Sequence, residues 1–150
     1  MWMRWEFIKS YKSLRKKPLN YPKDPQTIGR LILKRRMDLG LSQPQVAKII
    51  GVSTNTITYW ETGKSEPSVK YLPKIINFLQ KIPFNLPSTV IEELKYRRLI
   101  NGLSQKNLSK ELKEDAKAIR MWELGKRRPT LKTCNRLKKK MLSLNHLPNI

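Results

Sequence analysis

The chain has 150 residues, a single cysteine, and a formal net charge of +21 from 32 basic and 11 acidic side chains. One cysteine excludes an intramolecular disulfide and a cysteine-built metal knuckle, and no apolar run approaches the ~20 residues of a bilayer-spanning helix. The charge exceeds the ~2–8 that solubility asks of a small domain, and points instead to a polyanionic partner.

Residues 1–24 read as a basic arm of net charge +5. Within it, Trp2, Trp5, Phe7, Ile8 and Tyr11 fall near helical spacing, so a short amphipathic helix is plausible. Packing or disorder is favoured over membrane binding because the segment is short and isolated. The start is aromatic and basic without a clean apolar core, so no signal peptide is expected. Residues 15–26 hold three prolines and four bases and read as extended.

A first helix is predicted from about Thr27 to Asp38, with Ile28, Leu31, Ile32 and Arg35 on one stripe and Gly40 ending it. Ser42 caps a second helix to about Ile50, with Pro44 in its first turn. Gly51-Val52 is the tight turn, and Ser53 caps a third helix to about Glu61, closed by Gly63. Leu72-Pro73 opens a fourth helix to about Leu79, where proline is tolerated in the first turn. Residues 81–86 form a proline-containing link, too short to let its flanks move far apart. Helices near 89–100, 105–112, 116–123 and 130–142 follow, then a tail at 143–150. No strand-like alternation occurs, so the fold class is all-α.

The second set of helices repeats the first at a fixed offset of 62 without a gap. Pro25, Thr27, Arg35, Arg36, Gly40, Leu41, Ser42 and Gln43 return as Pro87, Thr89, Arg97, Arg98, Gly102, Leu103, Ser104 and Gln105. Lys48, Ile57, Trp60, Glu61, Gly63, Lys64, Pro67 and Lys70 return as Lys110, Ile119, Trp122, Glu123, Gly125, Lys126, Pro129 and Lys132. A period of this size means two copies of one small unit. The domains are therefore placed at 25–80 and 87–142, with net charges of +5 and +10.

The shared residues are turn glycines, caps and one charged pair, which together spell a helix-turn-helix. That motif needs a capped support helix, a glycine turn, and a second helix whose N-terminal face is free of core duties. In the first copy Val46, Ala47, Ile50, Val52, Ile57 and Trp60 take the buried positions. Thr54, Asn55, Thr58 and Tyr59 are left outside, where Asn can pair with adenine and a Thr methyl can touch thymine. Gln43, at the start of the support helix, suits a phosphate, as do Thr62 and Lys64 just past the outer helix.

The order Arg-Arg, Gly-Leu-Ser-Gln, Val-Ala, Gly-Val-Ser, Ile, Trp-Glu-x-Gly-x-x-x-Pro resembles the Cro/phage-repressor (XRE) family of DNA-binding proteins. The resemblance covers about 110 of the 150 residues, in two copies. It implies two tandem lambda-repressor-like domains of four to five helices each. It also implies that Gln43, Thr54, Asn55 and Tyr59 face DNA. Arg36 with Glu61, and Arg98 with Glu123, match a buried structural ion pair.

The second copy departs from the pattern. Lys113 replaces the turn glycine and Glu114 the following apolar residue, bringing negative charge close to where DNA would sit; Asp115 remains a good cap. The outward residues become Ala116, Lys117, Arg120 and Met121. Lys117 and Arg120 suit guanine or phosphate. Gln105, Lys126 and Arg127 are the phosphate candidates, with Arg128 beside them and Lys138-Lys139-Lys140 extending the basic surface. Backbone-dominated contact is the favoured reading of this copy, with a clamp or docking surface as the other.

An enzyme is not expected. The carboxylates are scattered, no pair has two-metal spacing, and no Gly-rich phosphate loop follows a strand. His146 lies in the tail and reads as solvated, Trp60 and Trp122 read as core, and Cys134 reads as a buried small residue. No metal, cofactor, small-molecule ligand or membrane partner is expected, and the expected location is the cytoplasm, at the nucleoid. The partner is double-stranded DNA, with a homodimer or protein partner left open. The function expected is a transcriptional regulator whose outer helices enter the major groove, with two modules holding half-sites about one turn (~34 Å) apart. The basic arm at 12–23 would add backbone or minor-groove contact. The alternatives are an adaptor with the same fold and only non-specific DNA binding, an accessory factor of a mobile element, or, more weakly, RNA association.

Overall fold

The computed structural model describes residues 19–143. The expected amphipathic start and the tail with His146 lie outside the described residues. Among the described residues there are eight α-helices, one 3-10 turn and no strand. The first four helices are α1 (Ile28–Leu39), α2 (Gln43–Ile50), α3 (Thr54–Thr62) and, after a 3-10 turn at Val69–Tyr71, α4 (Leu72–Leu79). The other four are α5 (Val90–Ile100), α6 (Gln105–Leu112), α7 (Ala116–Glu123) and α8 (Leu131–Ser143). Each α-helix lies within about two residues of its expected bounds because its caps are written in the sequence. Thr27, Ser53, Thr89, Ser104 and Asp115 each accept a hydrogen bond from a first-turn N–H. Ser42 and Gln45 form a reciprocal capping box at the start of α2.

The chain divides into two compact units, one ending at Glu66 and one beginning at Pro67. In the first, α3 packs against both α1 and α2. Ile32, Val46, Ile50 and Ile57 are fully buried, and Trp60 lies beside them at 3% exposure. The buried stripe of α1 is Gly29, Ile32 and Leu33; Ile28, Leu31 and Arg35, expected on the inner face, are half-buried. The reason is Gly29. A Cβ built on it would lie 1.8 Å from the Trp60 carbonyl oxygen, so the backbones of α1 and α3 meet there and the contact line runs through residue 29. The end of the arm is also held. Pro22 is buried, and the Tyr21 hydroxyl donates to Asp38 at 2.6 Å. Tyr21 and Asp38 together hold the Lys34 ammonium above its ordinary pKa.

In the second unit, Leu94, Leu108, Leu112, Ile119, Trp122, Leu137 and Met141 form one core. Here α7 packs on α6 and α5, α8 packs on α5, and α4 also packs on α5. Ile91 stands where the first copy has Gly29 and packs against this core. Cys134, expected to be buried, is half-buried. No helix among the described residues is long and apolar enough to cross a membrane.

Candidate nucleic-acid interface

Both copies tie their three N-terminal helices together with one hydrogen-bonded network. Arg36 grips Glu61 with two parallel bonds, Nε to Oε1 at 2.6 Å and Nη2 to Oε2 at 2.9 Å, and its Nη1 donates to the Leu41 carbonyl at 3.1 Å. Gln43 adds a third donor to Glu61 Oε2 at 2.8 Å. The second copy repeats every bond. Arg98 meets Glu123 at 2.7 and 2.8 Å and the Leu103 carbonyl at 3.0 Å, while Gln105 donates to Glu123 Oε2 at 2.8 Å. A planar guanidinium suits this fork because its donors match both carboxylate oxygens at once. The network fixes the end of α3 on the start of α2, and α7 on α6, so it sets the angle at which each outer helix is presented.

The turns agree despite their different residues. Gly51 has φ 80° and ψ 47°; Lys113 takes the same left-handed region at φ 51° and ψ 45°. Its backbone N–H still closes onto the last turn, bonding the Lys110 carbonyl at 3.3 Å. Ser53 then caps α3 through the Thr56 N–H at 3.2 Å, and Asp115 caps α7 through the Ala118 N–H at 2.8 Å. A support helix, a left-handed turn, a cap and an outer helix thus occur twice, in the order that a helix-turn-helix requires.

A family model described as helix-turn-helix matches the chain twice, over residues 32–85 and 94–141, about two thirds of its length. The chain belongs to this helix-turn-helix family. The matches are of the XRE type, one for each tandem copy. No curated protein and no solved structure matches the chain.

On the outer helix of the first copy, α3, Asn55 and Tyr59 are exposed and Thr54 and Thr58 are half-buried. The Thr58 hydroxyl points inward, bonded to Gln43 Oε1 and the Thr54 carbonyl at 3.1 Å each. Thr62 likewise donates to the Thr58 carbonyl at 2.7 Å. Lys64 lies over the Tyr59 ring, 5.6 Å from its centroid. Asn55 and Tyr59 therefore offer the outer face its least committed chemistry. Gln43, expected at a phosphate, uses one amide hydrogen on Glu61, which leaves the other for an outside acceptor.

On the outer helix of the second copy, α7, Lys117 and Arg120 are exposed, and Ala116 and Met121 are half-buried. Lys126, Arg127 and Arg128 are exposed in the loop that follows. The expected negative charge in the turn is largely cancelled. Glu114 turns inward, its side chain only 9% exposed, and Arg136 of α8 grips it through Nε at 2.8 Å and Nη2 at 3.0 Å. Lys140 approaches the same carboxylate at 3.8 Å and also donates to the Leu112 carbonyl. Lys140, assigned from sequence to the basic surface, is therefore engaged within the fold, while Lys138 and Lys139 remain exposed.

Sequence reasoning missed Gly29 and Arg136. A glycine inside a helical pattern signals a close packing contact, so Gly29 was discoverable. The Arg136 pairing spans 22 residues and follows only from the packed positions of α6, α7 and α8.

Proposed function

We propose that this protein binds double-stranded DNA and regulates transcription, with α3 and α7 entering the major groove. The modules are the sequence copies at 25–80 and 87–142. The observation that carries the reading is the duplicated frame: each copy spends a buried ion pair and a glutamine to fix an outer helix, then leaves that helix's exposed residues without core duties. Asn55 and Tyr59 in the first copy, and Lys117 and Arg120 in the second, are the base-facing residues. Thr54, Thr58, Ala116 and Met121 flank them with apolar contact. Lys64, Lys126 and Arg127 are the phosphate contacts, joined by the free amide hydrogens of Gln43 and Gln105. Thr62 joins them only if its hydroxyl leaves the Thr58 carbonyl.

The test is selection of bound duplexes from a random pool by the full chain at about 150 mM salt, where specific complexes outlast non-specific ones. An enriched motif supports a sequence-specific regulator. No enrichment, with affinity collapsing as salt rises, overturns it in favour of a sequence-blind binder.

A further inference from the structure

The two recognition helices are set in the same frame but differ in the kind of group they hold out. At the second position of α3 stands Asn55; its counterpart on α7 is Lys117. At the fifth position stands Thr58, whose hydroxyl is bonded inward; its counterpart is Arg120, exposed. An amide carries one donor and one acceptor side by side, which matches the N6–H donor and N7 acceptor of adenine. Ammonium and guanidinium carry donors only, which best match guanine, the one base whose major-groove edge presents two acceptors, O6 and N7. The threonines at 54, 56, 58 and 62 give α3 methyl groups suited to thymine, and α3 carries no formal charge except Glu61, which is buried in its ion pair.

We infer that the DNA target is asymmetric, with an A·T-weighted half-site read by α3 and a guanine-containing half-site read by α7. A homodimer of one such module reads the same half-site twice; this chain, with unlike side chains at equivalent positions, does not. The inference rests on the DNA-reading function proposed above. It goes further by fixing the base content of each half and excluding a palindrome.

The test is the same duplex selection, run on the full wild-type chain, on Asn55→Ala and on the double variant Lys117→Asn with Arg120→Thr, each checked for an unchanged melting temperature. All three substituted residues are exposed. The expected wild-type motif has two unlike halves. Asn55→Ala should lose about 5- to 150-fold discrimination at adenine positions in one half only. The double variant, which gives α7 the side chains of α3 at these two positions, should lose its guanines and gain adenines in the other half. Two identical halves, or a single A·T half beside random sequence, overturn the asymmetric target while leaving the DNA-reading function intact. No motif at all overturns both.

Discussion

The first copy places Gly29 where α1 meets α3, and a Cβ there would lie 1.8 Å from the Trp60 carbonyl oxygen; the second copy has Ile91 at the matching position and packs it against its core. The first copy turns on Gly51 and the second on Lys113, yet both turns are left-handed. Val52 is replaced by Glu114, and the charge this brings is met by Arg136 and Lys140. The ion-pair network, by contrast, is repeated bond for bond. The frame that aims the outer helix is held fixed, while the residue at position 29 or 91, the turn residue and the outer face vary around it.

The largest expected effect tests that frame. Arg98→Ala leaves Glu123 as a lone charge at 4% exposure and should destabilise the second copy by about 3–5 kcal/mol. Arg36→Ala should cost less, since Arg36 is 15% exposed against 8% for Arg98 and water can partly solvate what remains. Amide hydrogen exchange resolved to each copy measures both, and equal losses of under about 1 kcal/mol would show that neither pair holds its copy together.

Gly29→Ala comes next. Alanine's helix propensity would favour it by about 1 kcal/mol, but the new methyl meets backbone that cannot turn aside. A net loss of about 1–3 kcal/mol is expected for the first copy. Urea denaturation checks the sign, and a stabilised variant would show that α1 and α3 do not approach so closely.

A smaller effect of opposite sign is expected at the turn. Lys113→Gly should stabilise the second copy by about 1 kcal/mol, because a left-handed conformation strains any side chain with a Cβ. Gly51→Lys should destabilise the first copy by a similar amount. Thermal melts of both variants measure the two effects, and matching signs would contradict the strain assigned to Lys113.

The smallest effect concerns a capping box that the second copy has at the start of its first helix and the first copy lacks there. Glu92 closes a capping box on Thr89, whereas the matching position in the first copy is Arg30. Hydrogen bonds from the Ser88 hydroxyl, then from the Ser88 and Thr89 backbone N–H groups, hold the Glu92 carboxyl below its ordinary pKa. A lowered folded-state pKa contributes stability that is present above the unfolded value, near 4.5, and is lost as pH falls through the folded value. Glu92→Gln should remove that acid-side slope. Denaturation midpoints between about pH 5 and pH 2 read it, and an unchanged slope would assign the acid sensitivity to other groups.

Helix bounds, caps and turns were legible in the sequence because each depends on residues within four positions of one another. Ser42, Ser53 and Asp115 could be read as caps without any knowledge of packing. The Arg36–Glu61 and Arg98–Glu123 pairs, each 25 residues apart, were legible only through family resemblance. The inward bonds of Gln43, Gln105 and Thr58, and the capture of Glu114 by Arg136, were not legible. They depend on how one helix is rotated against another, and periodicity leaves that rotation open by about a residue, as the shifted stripe of α1 shows.

The most direct test of the account is the salt dependence of affinity for the selected duplex, measured on the full chain for wild type, Asn55→Ala and the double variant Lys126→Ala with Arg127→Ala. Base reading and phosphate gripping separate cleanly here, since each phosphate contact contributes about 0.9 to the slope of log affinity against log salt. The account predicts that Asn55→Ala weakens binding without changing the slope, and that the double variant flattens the slope by about 2 without altering base preference. A flattened slope for Asn55→Ala, or an unchanged slope for the double variant, would contradict it.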